Sequence, residues 1–279
     1  MTSAGGLRFT KMHSLGNDFV MLNAVTSPLA LDVDTVRIIG DRHRGIGFDQ
    51  LIVAEPAKNG ADFFMRIFNT DGSESGQCGN GARCLGRYLH AQGLTTDKIL
   101  EIETISTRFR LEMVDEQIVN ADLAAPVFTP ERVPFVADQQ ADRYELKVDG
   151  ETVSMGVVSM GNPHAVIAVE DIDRAPVAVW GEAIERHSQF PERTNVGFVE
   201  FCSRNEINLR VWERGVGETL ACGSGACAAV AVAHRWQKIN DSVQVNLPGG
   251  TLIVSWAGQG PVRMGGPTET VFEGIWKVD

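Results

Sequence analysis

The sequence predicts an α+β protein made of two related halves. Two stretches align without a gap when Cys78 is laid on Cys222, an offset of 144 residues in a chain of 279. Repetition over about half the chain marks a duplicated domain. Within both copies an apolar strand runs into a glycine-rich turn and then into a helix. Fainter echoes precede each copy in the same order: Gly16-Asn17-Asp18-Phe19 with Gly161-Asn162-Pro163-His164, and Gly47-Phe48 with Gly197-Phe198.

Taken in order, Phe64-Met65-Arg66-Ile67-Phe68-Asn69 lies over Asn208-Leu209-Arg210-Val211-Trp212-Glu213, and each reads as a strand. Arg66 falls on Arg210, and in the turns that follow Glu74 falls on Glu218. Both copies then read Cys-Gly-x-Gly-Ala. After Cys78 the run through Arg83 to His90 predicts a helix stopped at Gly93; after Cys222 the run to Lys238 predicts its counterpart. Three prolines within Pro126–Pro134, followed by a polar stretch to Arg143, suit a linker. The last segment, Val271–Val278, reads as one more strand, which either half could accept. The expected division is residues 1–128 and 129–265, and 266–279 could pack on the first half.

A formal charge of −11 with scattered basic residues argues against a nucleic-acid partner, whose phosphates demand clustered Lys and Arg. The start has no apolar core of signal-peptide length, and the small-apolar run from Ala226 to Ala233 is too short to span a bilayer. A cytoplasmic protein with no membrane partner is the expectation. Five cysteines without regular spacing suggest reduced thiols. Cys84, Cys202 and Cys227 are expected to be small buried hydrophobes, and no metal site is expected, because no Cys-x-x-Cys or zinc-like second pair accompanies them. Gly223-Ser224-Gly225-Ala226-Cys227-Ala228 fits a dinucleotide fingerprint formally, but a turn separates it from the preceding strand.

The chemistry concentrates on Cys78 and Cys222, each placed at a predicted helix start. Such an end carries unpaired N–H groups and partial positive charge, so it holds a carboxylate and favours a thiolate, lowering a thiol pKa of about 8.5 toward roughly 3.5–7.5. If the halves face each other across a pseudo-two-fold axis, two thiols approach one point from opposite sides. That arrangement suits inversion at a carbon next to a carboxylate, with one base removing a proton and a conjugate acid returning one to the other face. No lysine stands in a Schiff-base setting and no pyridoxal-phosphate motif is visible, so a route without cofactor is expected.

These residues also resemble a known family. Asn69-Thr70-Asp71-Gly72-Ser73, Gln77-Cys78-Gly79-Asn80-Gly81-Ala82-Arg83-Cys84 and the run from Glu213-Arg214-Gly215 to Cys222-Gly223-Ser224-Gly225 are similar to the signatures of the diaminopimelate epimerases. His13–Phe19, Gly45–Gln50, Met160–His164 and Asn195–Phe198 resemble further motifs of that family in order. The resemblance implies two pseudo-symmetric domains, each a curved mixed sheet wrapped around a central helix, with the active site in the cleft between them. It implies conversion of LL-2,6-diaminopimelate to the meso form, serving lysine and peptidoglycan synthesis, by a homodimer. By the same resemblance Cys78 and Cys222 are the acid/base pair, and the backbone of Gly79, Asn80, Gly223 and Ser224 holds the reacting carboxylate. Arg214 meets the distant carboxylate, with Asn17, Gln50, Asn69, Asn162, Asn195 and Glu213 lining the site. His164 and Glu213 lie near the thiols and tune which is ionised.

Two other readings stay open. A proline or hydroxyproline racemase shares the two-thiol logic with a pocket for a small cyclic substrate, against which Arg214 and the asparagines argue. A protein that binds an anionic amino acid without chemistry could dispense with both thiols.

Overall fold

The fold is α+β. The computed structural model describes residues 6–277. The chain divides into two compact units, one containing the described residues up to Ala121 and those from Gly266 on, the other running from Asp122 to Gly265.

In the first unit β1 (Leu7–Ser14) and β2 (Asn17–Asn23) form an antiparallel hairpin. Its tight turn places both Leu15 and Gly16 at positive φ, 56° and 83°. Helix α1 (Val33–Gly40), capped by the Asp32 carboxylate on the Thr35 N–H at 2.7 Å, leads to β3 (Gln50–Pro56), which lies parallel to β2. Strand β4 (Phe63–Asn69) returns antiparallel on β3, and the short β5 (Glu74–Ser75) folds back on β4. Helix α2 (Gly79–Ala91) then crosses to β6 (Ile99–Glu103), parallel to β4 and antiparallel to β7 (Arg108–Met113). Parallel neighbours require such helical crossovers. Strand β8 (Ile118–Leu123) carries the chain out of this unit.

The second unit repeats the scheme. Strands β9 (Tyr144–Val148), β10 (Glu151–Ser159) and β11 (Pro163–Ala168) form an antiparallel set, and α3 (Val177–Glu185) leads to β12 (Asn195–Ser203), parallel to β11. Then come β13 (Glu206–Glu213), β14 (Gly217–Thr219), α4 (Gly223–Arg235), β15 (Ser242–Leu247), β16 (Gly250–Ser255) and β17 (Val262–Pro267). Strand β15 is parallel to β13, as β6 is to β4. Back in the first unit, β18 (Glu269–Trp276) pairs antiparallel with β1, the place that β9 takes on β10. Val278, read as the end of that strand, lies outside the described residues.

The duplication reaches the level of register. Phe19 pairs with Gln50 across β2 and β3, and the corresponding pair across β11 and β12 is His164 with Asn195. The repeated Arg and Glu are ion pairs within each unit, Arg66 to Glu74 at 3.7 Å and Arg210 to Glu218 at 2.6 Å. Helices α2 and α4 are each 13 residues long and start 144 residues apart. Helix α2 touches β1, β2, β3 and β7, and α4 touches β10–β13 and β16, so each is the central helix of its unit. That placement explains the composition of α4, GSGACAAVAVAHR, whose small apolar residues are buried on nearly every side. Gly93 (φ 65°) ends α2 and Gln237 (φ 57°) ends α4 at the same repeat position, closing both helices before the predicted Lys238.

Three expectations are corrected. Gly47-Phe48 lies before β3 whereas Gly197-Phe198 lies inside β12, so the likeness of those dipeptides is not part of the repeat. The proline-rich stretch is not an open linker: Val127 bridges to Ser159, and Val133 and Phe135 are buried in the core of the second unit, because its apolar side chains outnumber what a solvated tether would carry. Cys202 is exposed, since it sits at the end of β12 as the chain turns toward β13. Among the described residues no helix is long and apolar enough to cross a membrane.

An ion network braces the β1–β2 hairpin against the loop before β3. The Lys11 ammonium, nearly buried, meets the Asp18 carboxylate and the Gly47 carbonyl, while Arg42 forks onto Asp18 at 2.7 and 3.0 Å and reaches Asp49 at 2.8 Å. Burial pulls the Asp18 pKa upward, but the hydrogen bonds and charges of Arg42 and Lys11 outweigh it and bring the pKa down to about 2. A carboxyl with a depressed folded pKa contributes stability above its unfolded value near 3.8 and loses it as pH falls through the folded one. Unfolding midpoints are therefore expected to drop between about pH 4 and 2, and Asp18→Asn is expected to flatten that slope in a pH series of thermal melts.

Candidate active site

In each unit the strand ends meet the start of the central helix. Cys78 is the N-cap of α2 and Cys222 the N-cap of α4, both in extended conformation. The Cys78 sulfur accepts the Gly81 N–H at 3.3 Å, and the Cys222 sulfur accepts the Gly225 N–H at 3.4 Å. Both third positions are closely packed around the glycine. A Cβ on Gly81 would lie 2.5 Å from Ile52 Cδ1 and 3.2 Å from the Cys78 sulfur, and one on Gly225 would lie 3.1 Å from Val211 Cγ2 and 3.2 Å from the Cys222 sulfur. The N–H groups of the first two helical residues, Gly79 and Asn80 in α2 and Gly223 and Ser224 in α4, have no acceptor inside their helices. Serine or threonine caps helices at least as well as cysteine does, so two cysteines at matched caps point to chemistry rather than folding.

The polar groups around each start occupy matching positions. In the first unit Gln50 opens β3 opposite Asn69, the last residue of β4, and donates from Nε2 to Asn69 Oδ1 at 3.1 Å. Asn69 Nδ2 in turn donates to Ser73 Oγ at 3.1 Å. Asn17 Nδ2 donates to Asp49 at 2.9 Å, which leaves Asn17 Oδ1 to receive Asn80 Nδ2 at 3.4 Å.

In the second unit Asn162 Oδ1 and His164 Nε2 are 3.0 Å apart. Asn195 is buried, donates to the Pro163 carbonyl at 2.9 Å and accepts the Arg214 backbone N–H at 3.0 Å, fixing the turn after β13. The exposed Arg214 guanidinium donates to the Glu192 carbonyl at 3.0 Å. Glu213 ends β13, and its Oε1 accepts the Thr219 hydroxyl at 2.5 Å. All the residues singled out in the sequence thus fall into two sets, one per unit: Asn17, Gln50, Asn69, Cys78, Gly79 and Asn80; and Asn162, His164, Asn195, Glu213, Arg214, Cys222, Gly223 and Ser224.

The two starts differ electrostatically. Cys78 is half-buried and Cys222 buried. Burial pushes the Cys222 thiol well above its ordinary range, and the Glu213 carboxylate adds to that, outweighing the Ser224 hydroxyl and the Gly225 N–H. A helix start alone was expected to favour the thiolate; here loss of solvent wins, and Cys222 holds its proton. His164 is also buried, and burial together with the Arg214 charge lowers its pKa to about 3, so it is a neutral imidazole. Cys84 and Cys227 are buried, and burial raises the Cys84 thiol to about 12, consistent with a packing role.

Sequence reasoning missed three groups that hold these residues within their units. The Thr219 hydroxyl fixes the Glu213 carboxylate. The buried Glu185 accepts Trp212 Nε1 at 2.8 Å and the Gly215 N–H at 3.0 Å, which anchors the turn bearing Arg214. Asp49 holds Asn17. A lone Glu at the end of an apolar helix carries no local signal of such a task.

A model of the family described as diaminopimelate epimerase matches residues 9–128 and 156–270, covering both helix starts and their strands. The chain belongs to the diaminopimelate epimerase family. It is 50% identical over 277 residues to the diaminopimelate epimerase of Alkalilimnicola ehrlichii, covering 98% of this chain and 99% of that one. It is 51% identical over 275 residues to that of Aromatoleum aromaticum, with the same coverage. A solved structure of a probable proline racemase from Agrobacterium radiobacter is similar with a TM-score of 0.70 at 16% identity, over 98% of this chain and 93% of that one. That last likeness shows the shared fold alone; the family rests on the first three.

Proposed function

We propose that this chain is a diaminopimelate epimerase, an isomerase of lysine biosynthesis that converts LL-2,6-diaminopimelate to the meso isomer without a cofactor. The observation that carries the reading is the pair of matched N-caps, Cys78 on α2 and Cys222 on α4, within a family of this activity. The two units serve as its two domains, with the last strand belonging to the first.

In a two-base inversion one group removes the proton from one face of the carbon and a second returns one to the other. The Cys78 thiolate removes the α-hydrogen as a proton, leaving its electron pair on the carbon, and the Cys222 thiol delivers its own proton to the other face. Cys78 ends as thiol and Cys222 as thiolate, and exchange with solvent resets both. The α-carbon is a very weak acid, so its carbanion needs fixed dipoles on the adjacent carboxylate; N–H groups of Gly79, Asn80, Gly223 and Ser224 supply them. Glu213, fixed by Thr219, keeps the proton on Cys222 before turnover. Neutral His164 adds no charge beside the thiols. Arg214 pairs with the distal carboxylate, and Asn17, Gln50, Asn69, Asn162 and Asn195 orient the rest of the chain.

The enzyme works in the cytoplasm as a homodimer. Support for a partner copy comes from β18, an edge strand among the described residues, on which Val271, Phe272 and Ile275 are about half exposed. Incubating the purified protein with LL-diaminopimelate and a chelator is expected to yield the meso isomer on chiral chromatography. A folded, reduced sample that yields none would overturn the substrate assignment and direct the same assay to proline and hydroxyproline.

A further inference from the structure

Arg83 stands in the second turn of α2 with 0% of its surface exposed. A guanidinium keeps its charge at any accessible pH, and burying it is costly unless its donors are met. Its Nη2 donates to Ser14 Oγ at 2.8 Å and to Asn80 Oδ1 at 2.7 Å, and its Nη1 to the Pro267 carbonyl at 3.4 Å. Ser14 Oγ donates to the same Pro267 carbonyl at 2.9 Å. One side chain therefore ties the first turn of α2 to the end of β1 and to the segment just before β18.

The repeat shows that the architecture does not ask for this residue. At the offset of 144, Arg83 corresponds to Cys227, a small buried residue of α4, so the second unit builds the same central helix without a charge at that position. A cation near a helix N-terminus also opposes the helix dipole. What Arg83 does accomplish is local. Guanidinium nitrogens only donate, so contact with Asn80 obliges the amide oxygen of Asn80 to face Arg83 and its Nδ2 to face Asn17 Oδ1, at 3.4 Å. Asn17 is held from its other side by Asp49. A chain of fixed donors and acceptors thus runs from Arg83 through Asn80 to Asn17, beside the Cys78 cap.

We propose that Arg83 is a positioning residue of the reaction: through Asn80 Oδ1 it fixes the sense of the Asn80 amide and of Asn17. It reaches the site residues through Asn80, and Ser14 braces it from the other side. This rests on the epimerase reading, so wild-type turnover is measured in the same assay; a wild type without turnover sinks both.

The test is a double-mutant cycle of Arg83→Lys and Asn80→Ala, read as kcat/KM for LL-diaminopimelate, with thermal melts of each variant. R83K is expected to lose about 10- to 100-fold in kcat/KM. The double variant is expected to lose no more than N80A alone, because the path runs through Asn80. Losses that multiply independently, or an R83K that melts lower while keeping wild-type kcat/KM, would overturn the proposal. If R83K does not fold, Ser14→Ala decides, since it loosens Arg83 while leaving its charge buried. It is expected to lose about 2- to 10-fold in kcat/KM with a melt close to wild type; an S14A enzyme of full kcat/KM overturns the positioning role.

Discussion

Cys222→Ser is expected to lower kcat about 10²- to 10⁴-fold while leaving the melting temperature within a few degrees of wild type. The two halves of that result have separate causes. Serine is among the best N-cap residues, and the groups around this sulfur, the Gly225 N–H, Ser224 Oγ and the Glu213 carboxylate, accommodate a hydroxyl as well as a thiol. The fold therefore has no reason to fail. A hydroxyl is a far weaker acid than a thiol, however, and cannot give up the proton that completes inversion. Cys78→Ser is expected to fail equally in turnover, because serine is not ionised near neutral pH and cannot remove the α-hydrogen. Steady-state rates beside circular-dichroism melts check both, and a serine variant with near wild-type kcat would remove the two-thiol mechanism.

The second large effect is expected at Arg214→Ala. The guanidinium is exposed and donates to the Glu192 carbonyl, a single surface hydrogen bond, so stability should shift by no more than about 0.5 kcal/mol. A lost bidentate contact to a substrate carboxylate costs about 1.5–3 kcal/mol, which raises KM roughly 10- to 100-fold. The turn itself survives the substitution, since Asn195 and Glu185 hold the backbone N–H groups of Arg214 and Gly215. Equal losses of activity and stability, or an unchanged KM, would remove Arg214 from substrate recognition.

Much of this was legible in the sequence because the duplication preserved spacing. An offset of 144 placed two strands, two turns and two helix starts on one another, and with them the two cysteines at those starts. Register was legible only in part. That Gln50 opposes Asn69 is a property of how β3 and β4 pair, which no local pattern specifies. The likeness of Gly47-Phe48 to Gly197-Phe198 misled because a two-residue match ignores where the strands begin. The electrostatic difference between the caps was hidden for a physical reason: a helix start favours the thiolate in any sequence, but burial decides whether that preference survives, and burial of Cys222 emerges only from packing. Arg83 was hidden too, since an Arg within a predicted helix reads as a solvated charge until its burial is known.

The central claim, proton removal by one thiol and return by the other, is tested most directly in deuterated water. LL-diaminopimelate is mixed with the enzyme and quenched at low conversion, and the α-hydrogens of product and remaining substrate are compared by NMR. The account predicts a meso product carrying deuterium at the inverted carbon beside substrate that still carries its original hydrogen, because the Cys222 thiol delivers a hydron drawn from solvent. Product that retains the original hydrogen at the inverted carbon would mean that a single base carries it from face to face, and would contradict the two-thiol mechanism.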